Sequence, residues 1–195
     1  MKTYLFVDGT NLYAAQYELF GPKKYLDFSK FIDEVEQRLK IKFNKIYFYA
    51  SYSPKPKKPT KGQKLYLKNE ALFYRKVKKT KNVVFFRGYR SKTSGKEKEV
   101  DVKLAPDLVD FAHRKEYDKL FLLSGDADFM AALEKAKSLK IPIKVLCMEN
   151  KVMFKSILFY QTTILSFTGK GLWLKKIRKR PEIIKLECKD LVKQF

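Results

Sequence analysis

The sequence predicts an α/β fold in which helices cover both faces of a mainly parallel sheet. Short apolar runs alternate with longer amphipathic stretches along most of the chain, and this alternation is typical of repeated βαβ units. Two apolar runs, at residues 4–7 and 120–123, each end in acidic residues and glycine. With 195 residues, of which 45% are hydrophobic, one domain with a substantial core is expected.

The first half of the chain divides at its turn-forming residues. Asp27 is expected to cap a helix, since its side chain can accept a hydrogen bond from a backbone N–H of the first turn. Three prolines and four lysines between residues 51 and 62 predict an extended, solvated loop, and residues 87–99 predict a polar loop. The predicted elements are a strand at 4–7, helices at 12–20 and 28–39, a strand at 45–50, a helix at 65–79 and a strand at 83–86.

The second half continues the alternation. Pro106 lies inside a predicted helix and should either kink it or make it restart, because proline removes a backbone hydrogen bond and clashes with the preceding turn. A further helix is expected to open at Pro181. The other predicted elements are a helix at 100–114, a strand at 119–123, a helix at 129–139, a strand at 143–147, a short helix at 152–160 and a strand at 163–167.

Acidic residues follow two of the predicted strands. Asp8 comes directly after the first strand, and Asp126 and Asp128 follow the fourth. Ligands of open α/β sheets bind outside the carboxyl ends of the strands, so these carboxylates are expected to share one edge. Clustered carboxylates repel one another unless a cation neutralises them, and Mg²⁺ or Mn²⁺ suits both oxygen ligands and phosphate substrates.

Three segments resemble the motifs of the NYN domain, a PIN-like nuclease family. They are residues 6–11 (Phe-Val-Asp-Gly-Thr-Asn), 100–105 (Val-Asp-Val-Lys-Leu-Ala) and 123–129 (Leu-Ser-Gly-Asp-Ala-Asp-Phe), and they occur in the family's order. The resemblance implies a three-layer α/β/α PIN-like fold, similar to the Rossmann fold. It covers residues 1–150, which leaves 151–195 as a basic strand and helix extension expected to pack on the same domain.

The resemblance also assigns site residues. It implies that Asp8, Asp101 and Asp126 hold the metal, directly or through water, and that Asn11 and Asp128 belong to the same catalytic site. Each has a structural alternative that the sequence leaves open.

Those structural alternatives are specific. Asp101 could simply favour a helix start through the helix dipole, Asp128 could cap the helix that follows it, and Asn11 could cap a turn. Ser124 could donate a hydrogen bond to a phosphate, but a hydrogen bond with the backbone is the favoured interpretation. Asp107 matches an acid often seen in the family, although its distance along the helix turns it away from Asp101.

The positive charge of the chain indicates what kind of molecule it binds. The net charge is +22, and residues 55–98 hold 16 basic residues against Glu70 and Glu97, a local net charge of +14. Such a field attracts polyanions, and nearby Tyr52 and Tyr89 could stack on bases, which favours RNA although DNA is not excluded. A lysine-rich solvated surface is the plain alternative. The candidate nucleic-acid-binding residues are Lys55, Lys57, Lys58, Lys61, Arg87, Arg90 and Lys92.

Together these features predict a metal-dependent ribonuclease that cuts RNA internally, in the cytoplasm. A catalytically silent RNA-binding module would have the same charge pattern, but acids in all three motifs argue against it. A phosphatase of the haloacid-dehalogenase type is disfavoured because Phe6 stands where that chemistry needs a nucleophilic aspartate. No apolar run approaches the roughly 20 residues that span a bilayer, no signal peptide is recognised, and two cysteines suggest neither a metal site nor a disulfide framework.

Overall fold

The computed structural model describes residues 1–90, 97–148, 163–168, 171–176, 184–186 and 192–194. The predicted helix at 152–160 and the residues 181–183 lie outside this part of the chain. The helices are α1 Gly9–Phe20, α2 Phe28–Leu39, α3 Lys61–Val77, α4 Val100–His113 and α5 Met130–Ser138. The strands are β1 Thr3–Asp8, β2 Lys24–Leu26, β3 Lys45–Ser51, β4 Val83–Arg90, β5 Glu97–Lys98, β6 Lys119–Leu123, β7 Ile143–Met148, β8 Thr163–Thr168, β9 Gly171–Lys176, β10 Ile184–Leu186 and β11 Val192–Gln194.

The central sheet is mainly parallel, as predicted. Its strand order in the described residues is β10-β9-β8-β7-β6-β1-β3-β4-β5. The consecutive pairs from β8 to β4 are all parallel, whereas β5, β9 and β10 are added antiparallel. Strand β1 therefore lies between β3 and β6, in the middle of the sheet.

Two hydrophobic cores make the fold three layers thick. Leu5 and Val7 of β1 point into the core formed with α1, α2 and α3. Tyr4 and Phe6, which alternate with them, point into the core formed with α4 and α5. This alternation follows from the two-residue period of a strand, and it confirms the predicted α/β/α arrangement.

Two predicted boundaries were wrong for local reasons. Helix α3 begins at Lys61, four residues before the predicted start, because Thr60 caps it and Gln63 completes a capping box. Strand β4 extends four residues further, to Arg90, because Tyr89 and Arg90 pair with β5. Arg87 and Arg90 are therefore strand residues, not part of the predicted loop.

Two proline-based predictions also changed. Helix α4 runs without interruption through Pro106, so the helix does not restart there. The predicted helix that opens at Pro181 is wrong at Ile184–Leu186, which is a strand that pairs antiparallel with β9. Isoleucine, with its branched Cβ, favours this extended conformation. None of the described helices is both long and apolar enough to cross a membrane.

Candidate active site at the carboxyl edge of the sheet

Asp8 lies at the carboxyl end of the central strand and is only 4% exposed. Its Oδ1 accepts a hydrogen bond of 3.0 Å from the backbone N–H of Asn11, which makes Asp8 the N-cap of α1. Its Oδ2 accepts a second hydrogen bond, of 3.1 Å, from the Ser124 hydroxyl. A buried carboxylate needs such donors because burial removes its water. The cap and the hydroxyl therefore hold Asp8 in one orientation.

Ser124 connects the two acidic segments that the sequence predicted to meet. Besides donating to Asp8, its Oγ accepts a hydrogen bond of 3.1 Å from the backbone N–H of Asp126. This contact is possible because β1 and β6 are parallel neighbours, with Val7 opposite Leu123. Ser124 is 1% exposed. The sequence favoured a backbone hydrogen bond for Ser124 over contact with a phosphate, and it did not predict that this residue joins Asp8 to the Asp126 segment.

Asp126 organises the turn that follows. Its Oδ1 accepts a hydrogen bond of 2.9 Å from the backbone N–H of Asp128, at the short 3-10 helix Ala127–Phe129. Asp128 itself is exposed and lies inside that 3-10 helix. The N-cap position of α5 belongs to Phe129, without a side-chain cap bond. The suggested capping role of Asp128 is therefore wrong, and Asp126 caps the turn instead.

Asn11 provides an uncommitted oxygen beside these acids. Its backbone N–H is used by Asp8, but its side-chain Oδ1 is buried and has no hydrogen-bond partner among the described residues. A buried acceptor without a donor is costly, and a bound cation or water would satisfy it. The hydrogen bond between Asn11 and Asp8 thus uses the backbone N–H of Asn11 and not its side chain.

The donor set fits a hard divalent cation. Mg²⁺ is usually held by one or two carboxylates and keeps several water molecules. Asp8, Asp126 and the unpaired Asn11 oxygen are oxygen donors of this kind. In the described part of the chain, however, no group of three or more acidic, histidine or cysteine residues is gathered closely enough to hold a metal. The predicted trio of Asp8, Asp101 and Asp126 is thus not preassembled.

Asp101 lies in the first turn of α4 and is exposed. Helix α4 contacts the 3-10 helix that follows Asp126, so its start is near the same edge of the sheet. The preceding residue, Glu99, has a left-handed φ of 75° and gives no side-chain cap. This location is compatible with both interpretations of Asp101, as a dipole-favoured residue and as part of the site.

Asp107 has a different set of neighbours. Its Oδ2 accepts a hydrogen bond of 2.8 Å from the Tyr49 hydroxyl, and its Oδ1 pairs with the Lys103 ammonium at 2.5 Å. Burial, and then the hydrogen bond to Asp107, raises the pKa of Tyr49. Both oxygens of Asp107 thus have protein partners: Tyr49 ties α4 to β3, and Lys103 forms an ion pair within α4. These contacts argue for a structural role.

Gly9 allows α1 to start directly at this edge. A Cβ atom at Gly9 would lie 2.0 Å from a ring carbon of Phe48, far inside van der Waals contact. Phe48 cannot easily move, because it is fully buried among other rings. Glycine is therefore required by this close approach.

The predicted nucleic-acid-binding residues lie on one side of this edge. Lys55, Lys57 and Lys58 are exposed on the loop after β3, and Lys61 is exposed at the start of α3. The guanidinium of Arg87 lies 4.9 Å from the ring centre of Tyr52, a cation–π contact. Arg90 ends β4, with its side chain outside the described part, and Lys92 also lies outside it.

Buried Glu70, which the sequence did not single out, anchors the lysine loop. Its carboxylate accepts hydrogen bonds of 2.8 Å from the Ser53 backbone N–H and 2.7 Å from the Ser53 hydroxyl. Glu70 is only 1% exposed. The sequence signal for Glu70 was its position as a single acid within a basic segment. Its hydrogen-bond partner, Ser53, is known only from the fold.

Comparison with known proteins defines the class. The layered α/β/α fold is that of a PIN-like domain, and a family match supports this assignment. The chain belongs to the NYN domain family, which matches residues 2–164. The family is of nuclease type, so nucleic acid is the implied substrate. The sequence-based resemblance is confirmed.

Two solved structures are similar to the chain. A crystal structure of a protein of unknown function from Vibrio parahaemolyticus has a TM-score of 0.60 and 19% identity, covering 88% of this chain and 95% of that one. The bacteriophage T5 D15 flap endonuclease, in a complex with DNA and metal ions, has a TM-score of 0.44 and 15% identity, covering 85% of this chain and 55% of that one. The first likeness supports the fold alone. Among curated proteins, no significant match was found.

Proposed function

We propose that the protein is a metal-dependent ribonuclease that hydrolyses RNA phosphodiester bonds internally at the carboxyl edge of the sheet. The observation that carries this proposal is the junction of buried Asp8 and Ser124 with half-buried Asp126, together with the unpaired side-chain oxygen of Asn11, whose backbone N–H bonds Asp8. It lies inside a nuclease-type domain. A buried, oriented carboxylate next to an uncommitted oxygen is what a cation site requires.

Asp8 and Asp126 would hold Mg²⁺ or Mn²⁺, with Asn11 Oδ1 as a further oxygen ligand and Asp101 completing the site once the cation is bound. Such an ion, when bound, lowers the pKa of a water molecule and stabilises charge on a phosphoryl oxygen. Asp128 is the remaining acidic candidate, exposed beside Asp126. Ser124 keeps the Asp8 carboxylate oriented, and the Asp8 cap fixes the start of α1.

The substrate would be held by the basic residues around this edge. Lys55, Lys57, Lys58 and Lys61 would contact phosphates from the loop that Glu70 anchors, and Arg87, Arg90 and Lys92 would do so from β4 and beyond. Phosphate contacts of this kind position a nucleic acid without reading its sequence. The preference for RNA over DNA rests on the sequence argument alone, and the experiment below separates them.

We further propose that residues 1–150 form the nuclease domain and that 151–195 pack on it as an extension. The continuation of the same sheet from β7 through β8 and β9 to β10 supports the packing of the extension on the domain. A cytoplasmic location stays a prediction from the sequence.

The proposal is tested by cleavage assays on RNA, DNA and a small phosphate ester, each with Mg²⁺, Mn²⁺ or a chelator. Asp8→Asn and Asp126→Asn should reduce RNA cleavage at least about 100-fold, since removal of charge-stabilising groups costs about 10²–10³ in rate. Asparagine is as good an N-cap as aspartate, so Asp8→Asn should still fold. Asp101→Asn should reduce both cleavage and the Mn²⁺-dependent rise in melting temperature.

A matched control is Asp110→Asn, which removes an exposed acid from the same helix as Asp101. Asp110 pairs with Arg114 one turn away and is 59% exposed, so activity should be unchanged. Full cleavage by folded Asp8→Asn or Asp126→Asn would refute the site. Tight RNA binding without cleavage under all metal conditions would instead identify a catalytically silent RNA-binding module. This second candidate is tested because the described residues contain no preassembled group of three acids.

A further inference from the structure

Helix α3 carries a basic face of which only Lys61 is among the predicted nucleic-acid-binding residues. The side that packs into the core consists of Asn69, Glu70, Phe73, Tyr74 and Val77. At 100° per residue, four basic residues fall within a narrow stripe on the opposite side of the helix. They are Lys61, Lys64, Lys68 and Arg75, and all four are exposed.

No carboxylate neutralises this stripe from its own helix. Glu70 is the acidic residue of α3, and it is buried and bonded to Ser53. Within the described residues, none of the four cations forms an ion pair. Surface cations of proteins are often interspersed with anions, so an unopposed row produces a strong local positive potential.

Helix α3, which carries the stripe, packs next to the candidate active site. The Tyr74 hydroxyl lies 3.4 Å from the backbone oxygen of Gly9, the residue after Asp8. Ser53, at the start of the lysine loop, is bonded to Glu70 of the same helix. Both contacts come from the face of α3 opposite the stripe, so the stripe lies on the outer side of a helix that is docked on this edge, and we expect only a polyanion wide enough to pass around the helix to reach the acidic junction as well.

The shape and chemistry of the stripe favour a duplex over a single strand. From Lys61 to Arg75 the helix advances about 21 Å, at roughly 1.5 Å per residue. Proteins that bind single strands combine cations with aromatic side chains on which bases stack. The nearest aromatic residue of this half of α3, Tyr66, is turned inward against Tyr13 and Tyr17. A row of cations without a stacking surface fits phosphates whose bases are already paired.

We infer that the basic face of α3 binds the phosphate backbone of a double-stranded RNA segment and directs the adjacent strand to the acidic edge. Duplex RNA is recognised mainly through its backbone and shape, because its deep, narrow major groove excludes side chains. This inference rests on the proposed function for its choice of RNA. It deepens that proposal by naming structured RNA as the substrate class.

The test is binding, without metal, to a short RNA duplex and to one of its strands over a range of KCl concentrations. The variant combines Lys64→Gln, Lys68→Gln and Arg75→Gln. If each residue contacts one phosphate, the slope of log K against log salt should flatten by about 2.7, at roughly 0.9 per contact. Duplex affinity at low salt should fall at least about tenfold, and single-strand affinity should fall much less.

The control variant removes the same number of charges from the opposite layer. Lys135, Lys137 and Lys140 are exposed at the end of α5 and after it, and their replacement by Gln should leave the duplex slope near that of the original protein. Equal losses in both variants would show that net charge alone matters, and an unchanged slope would place the surface elsewhere. A larger loss for the single strand would overturn the duplex assignment.

Melting temperatures and circular dichroism of both variants establish that they are folded. Because binding is measured under a chelator, a protein that fails to cut RNA could still bind duplexes through α3. The inference and the proposed function can therefore fail separately.

Discussion

The Ser124 hydroxyl should be worth more to stability than its size suggests. Replacing Ser124 by Ala removes one oxygen atom from a site that is 1% exposed. Two hydrogen bonds are lost, one donated to Asp8 Oδ2 and one accepted from the Asp126 N–H, both 3.1 Å long. The backbone of β6 should not change, because alanine tolerates the same conformation.

The magnitude follows from the charge of the acceptor. A hydrogen bond to an ionised group contributes about 1.5–3 kcal/mol, and a buried group left without its partner costs about 1–3 kcal/mol. Asp8 keeps the Asn11 N–H after the substitution, so part of the burial cost is still offset. Ser124→Ala should therefore lower the free energy of unfolding by about 2 kcal/mol.

Urea denaturation of the original protein and the variant measures this difference, through the midpoint at unchanged slope. Ser138→Ala is the matched control, because the Ser138 hydroxyl bonds the Lys135 backbone oxygen at an exposed helix end and its loss should cost at most about 0.5 kcal/mol. A double-mutant cycle with Asp8→Asn should show coupling of about 1 kcal/mol. If Ser124→Ala costs no more than Ser138→Ala, the hydroxyl does not orient Asp8 and the junction has no energetic basis.

Two further predictions concern the core. Gly9→Ala would place a methyl group 2.0 Å from the Phe48 ring and should lower stability by about 1–3 kcal/mol or prevent folding. Gly62→Ala would place its methyl group in ordinary contact, 4.0 Å from the Thr60 Oγ1, and should stabilise α3 by up to about 1 kcal/mol. Equal melting temperatures for both variants would contradict the packing argument. Burial raises the pKa of three core tyrosines above the ordinary value of 10.0, namely Tyr13, Tyr49 and Tyr117. Because only the unfolded chain ionises these phenols readily, their contribution to stability is complete below about pH 10 and is lost above it, by about 1.4 kcal/mol per pH unit for each tyrosine. Tyrosinate absorbance recorded with the unfolding free energy from pH 9 to 12 tests this, and ionisation of all 12 tyrosines near pH 10 in a folded protein would be incompatible with it.

Most of the fold could be predicted from the sequence because its signals are local. The strand at 119–123 was predicted with its observed boundaries, and Asp27 caps α2 as expected, with its Oδ1 accepting the Lys30 N–H. Hydrophobic periodicity and capping residues act within a few positions of one another, so a single chain contains them. The early start of α3 was also available locally, from Thr60 and Gln63, and was missed.

The sequence alone determined that acids stand at the ends of two strands, and parallel pairing implied that they share an edge. Only the tertiary structure decided how they are joined. Ser124 bonds Asp8 across 116 positions of the chain, and Tyr49 bonds Asp107 across 58. The extension of β4 depends on the pairing of Tyr89 and Arg90 with β5, and the partner of Glu70 depends on the packing of α3. Such contacts are set by the strand order and by the rotation of each helix, which neighbouring residues do not encode, because each side chain bonds whichever group the completed fold brings within about 3 Å.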